Sequence, residues 1–368
     1  MKLILHIGTH KTGSTALQQF LVANAESLRA GSIHYAVPPS AIKASAVVHA
    51  LNVNNQHAVR DFFRSHAALA RRRGAHTLVV SAESFYAMSL VPALCRREPC
   101  ADLIDRDHVL IARLFTSIPD EISDRRVVGY FRRPDHFVES WYNQQVKYGS
   151  LFFGEFPDFL ALAYPSLRYG AYMERWVDIF GQPNCSARIY EHVGKSVIDD
   201  FARSVLCITD LSPFVTERRA TNERMSRDVL EFKREVNKQS RYEEMSLERE
   251  IFRLLDESLN LKEKEPESYQ SFLSPQDRAE LLEDLSEEMA AFQSSFGLPP
   301  FPRFDLEAAQ TLWRPYPGLA PARRQALERR YRRLKGRPRF RAERFRLKTR
   351  KALHRKAALM KRSSRGRG

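Results

Sequence analysis

Short apolar runs rich in β-branched residues recur along this chain, and a stretch with helical periodicity follows each of them. The runs span residues 3–7, 77–81, 126–131 and 187–190. Because strands that alternate with helices pair in parallel, this order predicts an α/β fold with three layers, in which helices cover a central parallel sheet. The predicted helices span residues 13–28, 134–148, 169–180, 193–205, 226–238 and 274–296.

The first apolar run continues into a glycine-rich loop, Gly-Thr-His-Lys-Thr-Gly-Ser-Thr at residues 8–15. Gly8 and Gly13 free the backbone to curl around an anion, so that successive amide N–H groups point at it. The N-terminus of the following helix adds the positive end of its dipole. The sequence therefore predicts a phosphate-binding loop, and its predicted ligands are Lys11, Thr12, Gly13, Ser14 and Thr15.

The position of the lysine indicates which kind of phosphate this loop binds. In a nucleoside triphosphatase loop the lysine directly follows the second glycine, where it reaches the β- and γ-phosphates. Here Ser14 occupies that position, and Lys11 lies two residues before Gly13. This placement favours a leaving group on a single 5′-phosphate. A P-loop kinase, or a glycine turn beside a surface lysine, is the alternative.

A second strand-to-helix junction carries a candidate anion site at residues 127–142. Arg132 leaves the end of the strand, Pro134 suits a first helical turn, and Ser140 lies on the polar face of the helix. A forked guanidinium and a hydroxyl can converge on one phosphate. The alternative is an ordinary amphipathic helix that begins beside an arginine.

Together the two motifs resemble those of the PAPS-dependent sulfotransferases, especially bacterial and carbohydrate-modifying members. PAPS is 3′-phosphoadenosine 5′-phosphosulfate. In that family the first motif binds the 5′-phosphosulfate, and the second, an Arg followed by a Pro two residues later and a Ser eight residues later, binds the 3′-phosphate. The second motif matches Arg132, Pro134 and Ser140. The resemblance covers residues 1 to about 300.

The resemblance implies a P-loop-type domain and an enzyme that moves a sulfuryl group from PAPS to a hydroxyl or amine. A carbohydrate-containing acceptor, a glycan or glycolipid, is expected from the carbohydrate-modifying members, although no residue identifies it. Relatives also close a late basic segment over the 3′-phosphate, which here would use Arg218 or Arg219. A solvated pair of charges is the alternative for these two arginines.

The predicted chemistry needs a positive charge at the leaving phosphate and a base for the acceptor proton. Lys11 is predicted to supply the charge. Glu83 is the leading candidate for the base, because it follows a predicted parallel strand at the edge where α/β sheets bind ligands. A glutamate in a similar place acts as base in carbohydrate sulfotransferases. Alternatively, Glu83 begins a helix, and His10 is the second candidate base.

No metal is predicted for this reaction. A leaving monophosphate held by backbone amides, lysine and arginine does not require one, and the sequence shows no acidic cluster of metal ligands.

Two segments of the predicted domain lack a regular pattern, residues 30–76 and 85–125. Insertions over a parallel sheet often form the acceptor cleft. Ordinary solvated helices and loops are the alternative.

The positive charge is concentrated at the C-terminal end. Residues 303–368 hold 23 of the 59 Lys and Arg but 4 of the 44 Asp and Glu. We therefore predict an α/β domain over residues 1–300 and a basic tail, helical or disordered, over residues 301–368. Apolar residues recur at helical spacing in the tail, at Leu327, Tyr331 and Leu334.

The tail leaves other functions open. A non-enzymatic protein could sense nucleotide with its α/β domain and bind RNA, anionic lipid or polysaccharide through the tail. The same tail could instead hold an enzyme at an anionic membrane. No apolar run is long enough to cross a bilayer, and no signal peptide is recognisable, which predicts a cytoplasmic location that includes the inner face of the membrane. Nothing in the sequence indicates an oligomeric state.

Overall fold

The computed structural model describes residues 1–36, 44–96, 102–149, 152–193, 196–216, 224–239, 244–259, 269, 271–343, 345 and 346. The strands are β1 (Lys2–Gly8), β2 (Ile33–Tyr35), β3 (Thr77–Ser81), β4 (Asp124–Phe131) and β5 (Cys185–Ile189). The helices are α1 (Ser14–Ala23), α2 (Ala25–Ala30), α3 (Ala44–Asn52), α4 (Gln56–Arg72), α5 (Leu90–Arg96), α6 (Leu103–Ser117), α7 (Pro134–Gln144), α8 (Phe156–Ala163), α9 (Tyr169–Phe180), α10 (Tyr190–Val193), α11 (Val197–Asp200), α12 (Arg227–Asn237), α13 (Met245–Glu257), α14 (Pro275–Asp284), α15 (Ser286–Phe296), α16 (Leu306–Leu312) and α17 (Pro321–Lys335).

Within the described residues, the strands form one parallel sheet in the order β2-β3-β1-β4-β5. The predicted α/β class with a central parallel sheet is therefore confirmed. The four predicted strands are β1, β3, β4 and β5. The short edge strand β2 was not predicted, because three residues are too few to establish a pattern.

Adjacent residues of β4 show why the domain has three layers. Tyr130 and Phe131 point to opposite faces of the sheet because side chains alternate along a strand. Tyr130 joins a core cluster that includes Leu17 of α1 and Ile198 of α11. Phe131 contacts Phe292 of α15, with ring centroids 5.0 Å apart. Helices therefore cover both faces of the sheet.

The interpretation of residues 30–76 and 85–125 as irregular was wrong where α3, α4, α5 and α6 lie. In α4 the apolar residues Val59, Phe63 and Ala67 are buried and recur every fourth residue. Many exposed charges on the other face hide this spacing in a short sequence window. The alternative of ordinary helices is the one that the structure shows there.

Two long predicted helices are each divided in the structure. The segment 13–28 contains α1 and α2, with Asn24 between them. The Asn24 side chain donates hydrogen bonds to the carbonyls of Phe20 and Val215, each at 2.9 Å. The segment 274–296 contains α14 and α15, and α15 ends at the predicted residue, Phe296, before Gly297 in the left-handed region with φ +59°.

The chain divides into two compact units. The first consists of Met1–Trp141, Pro157–Asn222 and Pro275–Ala308, and it contains the whole sheet. The second consists of Tyr142–Phe156, Glu223–Ser274 and Ala309–Gly368. The second unit includes residues from both predicted segments. The domain boundary at residue 300 therefore stays a prediction.

The second unit contains the helix that the tail pattern predicted. Leu327, Tyr331 and Leu334 are buried on α17. The Tyr331 ring lies 5.2 Å from that of Phe252 and 5.7 Å from that of Phe232. This part of the tail is therefore packed against α12 and α13.

Among the helices within the described residues, none combines the length and the apolar character needed to span a bilayer.

Candidate active site

The glycine-rich loop is fastened to β4 where it leaves β1. The Thr9 amide donates a hydrogen bond to the Tyr130 carbonyl at 3.0 Å, and the Thr12 hydroxyl donates to the Thr9 carbonyl at 2.7 Å. A Cβ at Gly8 would lie 3.0 Å from the backbone nitrogen and oxygen of Tyr130. The close approach of the two strands therefore requires glycine at position 8.

The loop ends at the N-terminus of α1, which has no side-chain cap. Lys11 and Gly13 lie in the left-handed region, with φ +71° and +79°. Gly13 is the N-cap residue of α1 and has no side chain to accept from the first amides of the helix. The Ser14 hydroxyl is buried and has no hydrogen-bond partner among the described residues. This arrangement can accept an anion.

His10 joins the loop to α7. Its ring is 7% exposed and stacks on Trp141, with centroids 5.0 Å apart and planes 19° apart. Neither ring nitrogen has a hydrogen-bond partner in the described part of the chain. Burial lowers the pKa of the His10 imidazole, Glu83 opposes this shift, and Lys11 adds to it. A neutral imidazole has one donor and one acceptor nitrogen, so His10 can either donate to a ligand or accept a proton from it.

Arg132 lies directly after β4, as predicted. Its Nε atom is 3.8 Å from a carboxylate oxygen of Glu191, too far for a hydrogen bond, and has no such partner within the described residues. Its guanidinium carbon lies 5.8 Å from the centre of the Tyr190 ring. The Tyr169 hydroxyl holds the Arg132 carbonyl through a 2.6 Å hydrogen bond.

Tyr190 connects the two predicted phosphate motifs. A Cβ added to Gly13 would lie 3.5 Å from the Cε2 atom of Tyr190, the same ring that Arg132 approaches. Because β1 and β4 are paired neighbours, both motifs leave the same edge of the sheet. The structure therefore brings the loop and Arg132 together.

Three other residues were predicted to bind the 3′-phosphate, namely Ser140, Arg218 and Arg219. Ser140 is half-buried on α7, next to the Trp141 that stacks on His10. Its role as a phosphate ligand stays a prediction. Arg218 and Arg219 lie outside the described residues.

Glu83 follows β3, which pairs with β1 on the side away from β4. It is the first residue of a short 3₁₀ turn, Glu83–Phe85, so the helix-start alternative describes its backbone correctly. Its half-buried carboxylate accepts a 3.0 Å hydrogen bond from the side-chain amide of Gln18 on α1. The helix that follows the loop thus holds the candidate base.

Electrostatics place Glu83 among three other ionisable groups. Burial raises the pKa of Tyr35 on β2 to about 12, and Glu83 adds to this shift. Burial lowers the pKa of His6 to about 4 against the influence of Glu83, and His6 shares a 2.8 Å hydrogen bond with the Ser81 hydroxyl. Glu83 therefore lies within electrostatic range of His6, His10 and Tyr35.

Arg133, the neighbour of Arg132, belongs to a saturated ion-pair cluster. Its guanidinium donates to both carboxylate oxygens of Asp135, at 2.7 and 2.9 Å, and to the Pro302 carbonyl at 3.0 Å. Arg278 pairs with Asp135 and with Glu139. Burial alone would raise the pKa of Asp135, but the hydrogen bonds from Arg133 and the surrounding positive charges lower it to about 2. Arg133 therefore has a structural role in this cluster.

Within the ranges that the structure describes, no cluster of three or more His, Cys, Asp or Glu is placed to hold a metal ion.

Comparisons with known proteins give a distant structural likeness. No family model matches the chain, and no curated protein matches it. The fold is similar to the crystal structure of a sulfotransferase from Alicyclobacillus acidocaldarius, with 12% identity and a TM-score of 0.42 over 81% of this chain and 97% of that chain. This likeness is too distant to support a function, which we argue from the geometry of the site.

Sequence reasoning missed Gln18, Trp141 and Tyr190 as site residues. Gln18 lies four residues after Ser14, one turn into α1, so it projects from the same face of the helix. Tyr190 follows β5 at the same edge that Glu83 and Arg132 occupy. Tyr190 could have been found by applying the strand-edge rule to every predicted strand, and Gln18 by its helical spacing from Ser14.

Proposed function

We propose that this chain is a sulfotransferase that moves a sulfuryl group from PAPS to a hydroxyl or amine acceptor. The observation that carries the proposal is that an anion-accepting loop and a guanidinium meet around one ring, Tyr190, at the ends of neighbouring strands. A nucleotide with phosphates on both the 3′- and 5′-positions of one ribose needs two such groups close together.

The residues present fit this nucleotide. The first amides of α1, Lys11 and the Ser14 hydroxyl, which has no partner among the described residues, would hold the 5′-phosphosulfate, with Thr12, Gly13 and Thr15 completing the loop. Arg132 and Ser140 would hold the 3′-phosphate. When bound, PAPS supplies the sulfuryl group that is transferred. Lys11 would neutralise the negative charge that develops on the departing phosphate.

Glu83 is the proposed base and His10 its alternative. The Gln18 amide donates to the Glu83 carboxylate and so holds it in place beside the loop. His10 can also accept a proton, because burial keeps its imidazole neutral at neutral pH. Following the resemblance to carbohydrate-modifying members, we propose a glycan or glycolipid acceptor.

Calorimetry with two nucleotides tests the cofactor. We expect adenosine 3′,5′-bisphosphate to bind in the presence of EDTA with a Kd in the micromolar range or tighter, about −8 kcal/mol or stronger. A P-loop kinase would instead bind ATP in a magnesium-dependent way. Tight ATP binding that requires magnesium, with no binding of the bisphosphate, would contradict the proposal.

Replacing Lys11 tests the proposed chemistry. We expect Lys11→Ala to lower kcat by roughly 100- to 1,000-fold, since it removes a charge aimed at the developing anion. The measurement is transfer of radiolabelled sulfate from PAPS to fractions of the native cell. Lys2→Ala, at the opposite end of β1, is the matched control and should keep full activity. Equal turnover in the two variants would rule out this role for Lys11.

Two further variants separate the candidate bases. Glu83→Gln should abolish turnover while keeping affinity for adenosine 3′,5′-bisphosphate, and His10→Gln should keep measurable turnover. The reverse result would assign the proton transfer to His10.

A further inference from the structure

Helix α17 is held in the second unit by one face. Leu327, Tyr331 and Leu334 on that face are buried, and the Tyr331 hydroxyl lies 2.9 Å from a carboxylate oxygen of Glu248. The Lys335 ammonium donates to the same carboxylate at 3.1 Å. Because the buried Glu248 is satisfied by these two partners, the orientation of α17 about its axis is fixed.

The opposite face of α17 carries arginines. Arg329 and Arg333 each lie two residues after a buried anchor, Leu327 and Tyr331, which places them about 200° further round the helix. Both are exposed. Two further exposed arginines, Arg337 and Arg341, follow after the helix ends at Lys335. We call Arg329, Arg333, Arg337 and Arg341 the arginine row.

The arginine row differs from the neighbouring arginines in its ion pairing. Arg324 pairs with Glu235 at 2.7 Å, and Arg332 pairs with Glu328 at 2.5 Å. In the described part of the chain, no carboxylate lies within ion-pair distance of any arginine of the row. The positive charge of the row is therefore available to an external anion.

An exposed aromatic residue follows the arginine row. Phe345 lies four residues after Arg341, and 72% of its surface is exposed. A large apolar side chain in water gains free energy when an apolar phase covers it. From residue 347 to residue 368 the sequence adds nine Lys or Arg and no Asp or Glu.

We propose that the arginine row and Phe345 dock this protein onto a bilayer that contains anionic phospholipid. Lipid phosphates match the guanidinium groups, and the boundary of the acyl chains takes up the phenyl ring. A soluble polyanion would match the arginines and offer nothing to Phe345. The docked protein is peripheral to the membrane, and this inference does not depend on the proposed sulfotransferase activity.

Vesicle co-sedimentation of the full chain tests the docking. The chain should bind vesicles of phosphatidylcholine and phosphatidylglycerol in about a 2:1 ratio, and binding should weaken as salt is raised. It should not bind vesicles of phosphatidylcholine alone. Replacing the four arginines of the row by Gln should lower the partition coefficient on the order of 1,000-fold, because each arginine near an anionic surface contributes about 1 kcal/mol.

A matched variant controls for net charge. Replacing four exposed arginines of the α4 region by Gln, at Arg60, Arg64, Arg72 and Arg73, removes the same charge and should keep binding within about threefold. Equal losses in the two quadruple variants, or no binding to the anionic vesicles, would overturn the proposal.

Phe345→Ala separates a membrane from a soluble polyanion. It should weaken vesicle binding by roughly tenfold, in line with the apolar area lost, and leave binding to heparin unchanged. Heparin binding that exceeds vesicle binding, together with no effect of Phe345→Ala on the vesicles, would instead favour a polyanion partner and overturn the membrane assignment.

Discussion

Two consecutive arginines at the end of β4 have opposite surroundings. The Arg133 side chain is 8% exposed and donates to a carboxylate and to backbone carbonyls, so its guanidinium is saturated. The Arg132 side chain is 28% exposed, its contact with Glu191 is 3.8 Å long, and its Nε atom has no hydrogen-bond partner within the described ranges. The two residues have the same charge and the same chemistry. They differ in the hydrogen-bond and ion-pair partners that the rest of the first unit places around each guanidinium.

This difference teaches how to distinguish a structural arginine from a ligand-binding one. A buried polar atom without a partner costs about 1–3 kcal/mol, so folded proteins rarely keep several together without a reason. Atoms of this kind gather on the Arg132 side, where the Ser14 hydroxyl and both His10 nitrogens also lack partners among the described residues. A bound anionic ligand would satisfy them. The cluster around Arg133 needs no ligand.

Of the variants that test this difference between the two arginines, Arg133→Ala should have the largest effect. Breaking a buried ion pair leaves Asp135 undercompensated, so the free energy of unfolding should fall by about 3–5 kcal/mol. Urea denaturation measures it. Arg126→Ala is the control, because this arginine lies at the other end of β4 in an exposed pair with Asp124 and should cost less than about 1 kcal/mol. Similar costs for the two variants would remove the distinction between a saturated cluster and an exposed pair.

Lowering the pH should destabilise the protein through Asp135, which belongs to the same ion-pair cluster. Its pKa is lowered to about 2 in the folded state from an ordinary value of 3.8. The stabilisation is therefore fully present above about pH 4 and is lost as the pH falls through about 2, by about 2 kcal/mol in total. The slope of stability against pH over this range should flatten in Asp135→Asn. Asp124→Asn, at the other end of β4, should keep the slope, and an unchanged slope in Asp135→Asn would contradict the assignment.

Arg132→Ala should show the complementary behaviour. We expect affinity for adenosine 3′,5′-bisphosphate to fall on the order of 30-fold, about 2 kcal/mol, while the unfolding midpoint is unchanged. Adenosine 5′-monophosphate lacks the 3′-phosphate, so its affinity should be equal in the wild type and in this variant. Calorimetry with both nucleotides makes the comparison. An equal loss for both would place Arg132 somewhere other than at the 3′-phosphate.

The class of fold and the edge of the sheet that holds the site could be predicted from the sequence. Local patterns define the strands, and parallel strands bring their carboxyl ends together, which correctly placed the loop, Arg132 and Glu83 at one edge. The different surroundings of Arg132 and Arg133 could not be predicted. They depend on Arg278 and on the carbonyl of Pro302, which lie more than 140 residues away along the chain.

The contact between Gln18 and Glu83 was equally hidden, because 65 residues separate them. Replacing Gln18 should have the smallest effect of these variants, and it tests this one contact of the site. Gln18→Ala should lower kcat about tenfold and leave affinity for adenosine 3′,5′-bisphosphate unchanged, since Gln18 positions the proposed base. A carboxylate that loses a hydrogen-bond donor binds its proton more tightly, so the acid limb of the pH–rate profile should move to higher pH.

Gln19→Ala is the matched control for this variant, because Gln19 is the exposed neighbour on the same turn of α1. It should change neither kcat nor the pH–rate profile. If Gln18→Ala lowers kcat with no shift of the acid limb, the amide acts on something other than Glu83. His10, whose pKa the Glu83 carboxylate also influences, would then become the better candidate for the base. The Gln18→Ala variant therefore distinguishes the two candidate bases, Glu83 and His10, without changing either residue.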